Sequence, residues 1–208
     1  MLSDEFWNNQ EVYNPLSKIN LGGSVVAALE QRPICPLNDF PPFAGAGVYS
    51  IYFSGSFSLY APLRRCEKER PIYVGKAISF GGRKGTFDED ANSQSRALFS
   101  RLKDHADSIL SANNLCLSDF YFRFLVVDDI WIPLAETLLI TKYQPLRNIV
   151  IDGFGNHDPG MGRKGQRKSR WDVIHPGRKW AEQLRQNVCS CEEIERMANE
   201  HWRIHEPT

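Results

Sequence analysis

Two short β-branched and aromatic runs, Val48 to Phe53 and Pro71 to Val74, constrain this chain more than any other feature. Each is bounded by Gly, Pro or Ser, and each carries a tyrosine near a glycine: Gly47-Val48-Tyr49 in the first, Tyr73-Val74-Gly75-Lys76 in the second. Runs of this composition are strands. Glycine at 47 and 75 lets the backbone start or bend a strand where another group approaches closely, so Tyr49 and Tyr73 can project from neighbouring strands into one space. Taken alone, such tyrosines read as ordinary sheet packing, with hydroxyls that find some partner. The remainder of the chain has to decide.

At 208 residues and 42% hydrophobic, the chain can bury one good core, and a single domain over 1–208 is expected. No apolar run reaches the length of a membrane helix, and Met1 to Glu5 has neither a basic start nor an apolar stretch, so a cytoplasmic location without membrane association is expected. The five cysteines are odd in number and form no CxxC pair, which excludes a disulfide framework and a zinc ribbon and leaves free thiols. The 25 basic and 25 acidic side chains cancel overall but are sorted into blocks. Residues 163–185 hold eight basic and two acidic side chains, whereas 1–62 and 186–208 each hold five acidic and two basic. A block of that sign is either a solvated loop or the footprint of a polyanion.

Residues 1–44 form an N-terminal arm: irregular to Gly22-Gly23, then a helix from Ser24 that ends before Pro33, then a stiff proline-rich connector. Residues 54–70, between the two strands, carry Arg64, Arg65, Lys68 and Arg70 and read as an interaction surface. Gly81 to Gly85 is basic and flexible, but the Walker spacing is absent, which excludes a nucleotide-binding loop. Residues 94–110 form an amphipathic helix, capped by Asn92 or Ser93, with Arg101 and His105 one turn apart beside its apolar stripe. Residues 119–128 alternate as a third strand, and 131–141 form a helix apolar almost all round, with Glu136 its one charge before Lys142. A carboxylate there needs a cation, a metal or good donors; Arg123 and Arg101 are the candidate structural partners. Residues 151–170 are glycine-rich, then basic, and read as mobile or ordered by a polyanion; two helices, 176–186 and 190–200, close the chain.

The paired "GVY" and "YVGKA" resemble the motif of the GIY-YIG nuclease superfamily, with Ser54 to Arg70 as a departure, since the family joins these strands by a short loop. The resemblance covers about 45–150 and implies an α/β (α+β) core: a three-stranded, mainly antiparallel sheet flanked by helices, to which the arm, the hairpin insertion and the helical extension 151–208 are added. It further implies a catalytic set of Tyr49, Tyr73, Arg101, His105, Glu136 and Asn148, beside which the chemistry of Lys76 adds a seventh candidate, as a cation near the base or a phosphate contact. In that set Glu136 holds one Mg²⁺, or alternatively Mn²⁺, Arg101 grips the phosphate and Asn148 orients. The chemistry is consistent with these types. In-line hydrolysis of a phosphodiester needs an activated water, charge stabilisation at phosphorus and a stabilised leaving oxygen, and one carboxylate suffices for an ion that keeps its waters. Tyr49, with an ordinary pKa of about 10, needs a neighbour to carry its proton away, and the sequence leaves the first acceptor open among Tyr49, His105 and Lys76.

Within the superfamily the histidine, the long insertion and the basic C-terminal half look most like the small type II restriction endonucleases that cut CCGCGG. The resemblance thus implies double-stranded DNA as substrate, a homodimer matched to a palindrome, and a cognate methyltransferase as functional partner. Dimer contacts are expected from the arm and the insertion. DNA contacts are expected from Arg64, Arg65, Arg83, Lys84, Arg163, Lys164, Arg167, Lys168, Arg170 and Arg178, with arginines reading guanine. A structure-specific repair or mobile-element nuclease of the same superfamily, or an inactive nucleic-acid-binding module, are the alternative readings.

Overall fold

The computed structural model describes residues 16–66, 70–79, 95–160 and 165–205. In chain order it comprises helix α1 (Lys18–Glu30), strands β1 (Cys35–Pro36) and β2 (Gly47–Phe53), a 3₁₀ helix (Ser58–Cys66), β3 (Tyr73–Ala77), α2 (Ala97–Leu110) and β4 (Phe120–Val126). Helices α3 (Ile132–Tyr143), α4 (Leu146–Ile149), α5 (Arg170–Ile174) and α6 (Cys191–Ile204) follow. The expected α+β architecture is present, with one correction. The sheet has four antiparallel strands in the order β1-β4-β2-β3, because the proline-rich connector lays Cys35–Pro36 against Phe122 and Tyr121.

Register explains the layering. Tyr49 lies opposite Gly75 and Phe124, and Ile51 opposite Tyr73 and Phe122, so these side chains share one face. That face packs on Leu98, Leu102 and Ile109 of α2 and on apolar residues of the C-terminal half. Val48 and Val74 point the other way, to Ile132, Ala135 and Leu139 of α3 and to Val26 and Leu29 of α1.

The described part of the N-terminal arm therefore contributes Val26 and Leu29 to the core. Its helix is capped by Ser17, whose hydroxyl accepts from Asn20 N, and it runs through Gly22-Gly23, a pair that reads as a break in the sequence. The reason is close approach: a Cβ at Gly22 would drive into Leu138 of α3. Glu30 then accepts from Lys142 and Tyr143, fastening α1 to α3. The insertion is anchored as well. Leu59, Tyr60 and Leu63 are buried, and Trp202 Nε1 of α6 donates to Leu59 O at 2.8 Å. Both elements expected to meet a second subunit thus bury apolar side chains within the chain, while Leu16 and Ile19 of the arm stay exposed.

The expected helix 176–186 is absent. Ser169 caps the short α5, which stops at His175 before Pro176 and Gly177, and only Ala181–Gln183 forms a 3₁₀ turn. Helix α6 begins as expected at Ser190, with a full Ser190–Glu193 capping box. Residues 151–160 are not a free segment either, since Ile151 and Phe154 are buried. Asn92 and Ser93 lie outside the described residues. No helix among the described residues is long and apolar enough to cross a membrane.

Candidate active site

The sheet edge at β3 gathers the polar side chains. Tyr49 projects from β2 over Gly75, where a Cβ would lie 2.5 Å from Tyr49 Cζ and 2.8 Å from Tyr73 Cε1, so only glycine leaves room for the two phenols. Their rings sit 6.2 Å apart. His105 arrives from α2 because it occupies the buried stripe with Leu98, Leu102 and Ile109, and its Nε2 lies 2.8 Å from the Tyr49 hydroxyl. Burial pushes the Tyr49 phenol well above its ordinary pKa of 10.0; Tyr73 adds to the rise and Arg101 opposes it. Burial, followed by the charges of Arg101, Arg147 and Arg178, holds His105 well below the ordinary imidazole value. Both shifts favour the uncharged forms, a protonated phenol and a neutral imidazole, and the tautomer of His105 sets which of the two donates across the 2.8 Å contact.

Arg101, one turn before His105, stands beside both phenols and lowers the pKa of each. Glu136 of α3 raises that of Tyr73, which puts its carboxylate near the same pair from the other side of the edge strand. The partner of Glu136 is neither Arg123 nor Arg101. Lys76 of β3 meets it at 2.6 Å, and the side chains of Lys76 and Glu136 are 39% and 19% exposed. Asn148 closes the edge: its Oδ1 accepts from Val74 N and its Nδ2 donates to Val74 O, both at 2.8 Å. The amide thus satisfies the outward backbone groups of β3 that a further strand would otherwise take.

All seven expected site residues converge on this edge. For a metal ion the donor set is narrow, because no group of three or more His, Cys, Asp or Glu side chains converges among the described residues. A single half-open carboxylate does not fit a caged ion, but it fits a hard ion that keeps several waters and takes a phosphate oxygen.

The expected DNA-contacting residues divide. Arg178 is a correction: it is buried, donates to Gly153 O at 3.0 Å and pairs with Asp172 at 3.2 Å, so its guanidinium belongs to the core. Arg170 directs one N–H to Val150 O. Arg167 and Lys168 are tied to residues 185–187 through Arg167 Nη1 to Gln186 O, Lys168 N to Arg185 O and Asn187 Nδ2 to Lys168 O, which orders part of the basic block. Arg64 is exposed. Arg83, Lys84, Arg163 and Lys164, and the side chain of Arg65, lie outside the described residues.

Four residues at the site escaped the sequence reading. Asp104 pairs with Arg101 at 3.1 Å and with His157 at 3.0 Å. Phe154 packs at a tilt against His105 with centroids 4.2 Å apart, and Gly155, at φ +76°, lies where a Cβ would sit 2.7 Å from His105 Nδ1. Only the three-residue spacing of Asp104 from Arg101 was visible beforehand.

Comparison with known families matches residues 41–202 to the Eco29kI GIY-YIG domain, a family of restriction endonucleases. A comparison with curated proteins returns no match. The family match spans most of the chain and takes in residues 151–202, which the motif resemblance left out. On that match, and with the two strands, the helix and the edge geometry in the order the motif requires, this chain belongs to the Eco29kI GIY-YIG restriction endonuclease family, and DNA is the substrate the family implies.

Proposed function

We propose that the chain is a divalent-metal-dependent type II restriction enzyme that hydrolyses both strands of a short G·C palindrome, CCGCGG, as a homodimer. The observation that carries the reading is the 2.8 Å pair of Tyr49 with a buried neutral His105, facing Arg101 and the Lys76–Glu136 pair across one strand. In this mechanism Tyr49 takes a proton from the attacking water as it passes its own to His105 Nε2, so no free phenolate is required. Arg101 binds the non-bridging oxygens, and Tyr73 orients beside it. Asn148 keeps the edge strand in place through Val74. Glu136 would hold Mg²⁺ or Mn²⁺, which when bound supplies Lewis-acid stabilisation of the phosphate and leaving oxygen. Lys76 would turn from Glu136 to the phosphate or to the developing charge.

The inactive-module reading is weaker, since binding alone does not call for the Tyr49–His105 pair, and the match to a restriction endonuclease family weighs against the repair-nuclease reading. Specificity for G·C rests on the resemblance to the enzymes that cut CCGCGG and on arginine readout of guanine O6 and N7. One site per chain cuts one strand, and two chains related by a two-fold axis meet a palindrome without reorganisation. A methyltransferase that protects the host site is the functional partner.

The test is digestion of plasmid DNA with Mg²⁺, fragment-end sequencing, and light scattering with a palindromic duplex. We expect discrete ends at CCGCGG, loss of cutting in EDTA and in Glu136→Ala with binding retained, and two chains per duplex. Ends at an A·T-containing site, Mg²⁺-dependent cutting by Glu136→Ala, or one chain that nicks and dissociates would each overturn the corresponding part.

A further inference from the structure

Asp104 poses a problem for a site that must accept a phosphate. A carboxylate beside a phosphate-binding arginine repels the incoming anion and shares the arginine's charge. Asp104 is nevertheless close, with Oδ2 at 3.1 Å from Arg101 Nη1 and its side chain 19% exposed. The same oxygen takes His157 Nε2 at 3.0 Å. His157 comes from a segment remote in sequence that docks on α2 through the tilted Phe154–His105 ring contact and the close approach of Gly155. An ordinary pair three residues apart on a helix surface has no third partner and contributes little. Here the acid is held from outside its own helix, and it in turn holds one edge of the guanidinium.

A guanidinium is a planar fork, and its use on a phosphate depends on which edge it presents. Bonding Nη1 to a fixed carboxylate restricts rotation of that plane and leaves the remaining N–H groups facing the phenols and the substrate. We propose that Asp104, anchored by His157, is a positioning residue that sets the Arg101 guanidinium for the scissile phosphate. The proposal rests on the reading of Arg101 as the phosphate-binding arginine. The adverse charge is tolerated because orientation acts on the chemical step, whereas repulsion acts on binding, and the two effects are separable.

The experiment uses the full chain and a duplex carrying the cut site mapped for the wild type, with affinity measured in EDTA and single-turnover cleavage in Mg²⁺. Asp104→Asn keeps shape and removes the charge. It is expected to bind DNA as tightly as the wild type or more tightly while cleaving about 10 to 100 times more slowly, since misplacement of a catalytic group by about 1 Å costs on that order. Loss of structure would weaken both. His157→Ala should slow cleavage likewise, and His157→Gln, which keeps an N–H donor, should restore most of the loss. In the Arg101→Ala background, Asp104→Asn should add nothing. Cleavage by Asp104→Asn within about twofold of wild type, a parallel fall of binding and rate, or additivity in the double variant would overturn the proposal. If Arg101→Ala itself cuts at the wild-type rate, the reading of Arg101 fails and the proposal with it; if that variant is inactive while Asp104→Asn is neutral, only the positioning fails.

Discussion

Gly75 and Tyr49 face each other across the β2–β3 hairpin, and the absent side chain of one is the space occupied by the other. Gly75→Ala places a methyl 2.5 Å from Tyr49 Cζ, and the ring must rotate away from His105 Nε2 to avoid it. We expect single-turnover cleavage to fall about 100-fold, with a stability loss on the order of 1–3 kcal/mol from overpacking, read by quenched-flow and urea melts on the same sample. Nearly unchanged cleavage would mean that the phenol need not stand where it does. At this scale the sequence was informative. Tyrosine beside glycine in two strands, an Arg–His step on an amphipathic helix and one carboxylate in an apolar helix are local patterns, and all of these residues arrive at one edge. Asp104, Phe154, Gly155 and His157 were hidden because their roles depend on contacts between segments, and Gly-Phe-Gly in a polar loop has no periodicity to read. The partner of Glu136 was missed for the same reason: pairing across the edge strand puts Lys76 there, and neither arginine considered beforehand is its partner.

Between elements, the C-terminal part is joined to the catalytic face by a run of contacting rings, stacked at Phe154–Trp171 and tilted at the two histidines. His105 packs on Phe154 at 4.2 Å, Phe154 on Trp171 at 4.6 Å, and Trp171 on His175 at 4.6 Å. Arg147 of α4 inserts its guanidinium 3.8 Å above the Trp171 ring and donates to the Tyr60 hydroxyl, which also meets His175. This second Tyr–His–Arg group repeats the residue types of the active site but is buried throughout, and burial lowers the Arg147 pKa to about 10 while raising that of Tyr60 to about 12. Without solvent or substrate access, its work is to hold the hairpin insertion, α4 and α5 together. Arg147→Ala should therefore destabilise the protein by about 2–4 kcal/mol through lost stacking, a lost hydrogen bond and a cavity, measured by denaturant titration. A second prediction concerns the joint itself. Gly155→Ala combines a left-handed φ of +76° with a Cβ 2.6 Å from His105 Cε1, so the imidazole must shift and cleavage should slow by at least about tenfold while DNA affinity holds. Equal losses of affinity and rate would contradict it. Helices with an apolar stripe or a capping box, α2, α3 and α6, were legible in the sequence. Those fixed by a neighbour were not: α1 runs through Gly22, where Leu138 of α3 packs close, and α5 ends where Pro176 and Gly177 forbid what composition alone permitted.

For the whole molecule, the buried imidazoles set an acid limit. Burial, then nearby arginines, hold His105 and His175 well below the ordinary value of 6.5. The unfolded chain binds protons at these positions that the folded chain refuses, so the contribution is fully present above about pH 6.5 and is lost as pH falls below it. Each histidine can steepen the loss by up to about 1.4 kcal/mol per pH unit. Urea midpoints should drop from pH 7.5 to 5.5, and His175→Gln should flatten the slope; a midpoint that does not move would show that neither imidazole resists protonation. The extent of the family domain was the least legible property. The motif residues end near 150, yet the family match runs to 202, because beyond 150 the chain is held by scattered contacts and its one sequence signal, the basic block at 163–185, speaks of a polyanion and not of a fold. One of those contacts, Trp202 Nε1 on Leu59 O, joins the final helix to the hairpin insertion. Losing the helix would uncover the apolar underside of the insertion, and shortening the insertion would strand the indole, so the two additions to the minimal core have to be gained, trimmed or transplanted as a pair. A chimera that exchanges one without the other inherits an unsatisfied surface whatever the quality of its active site.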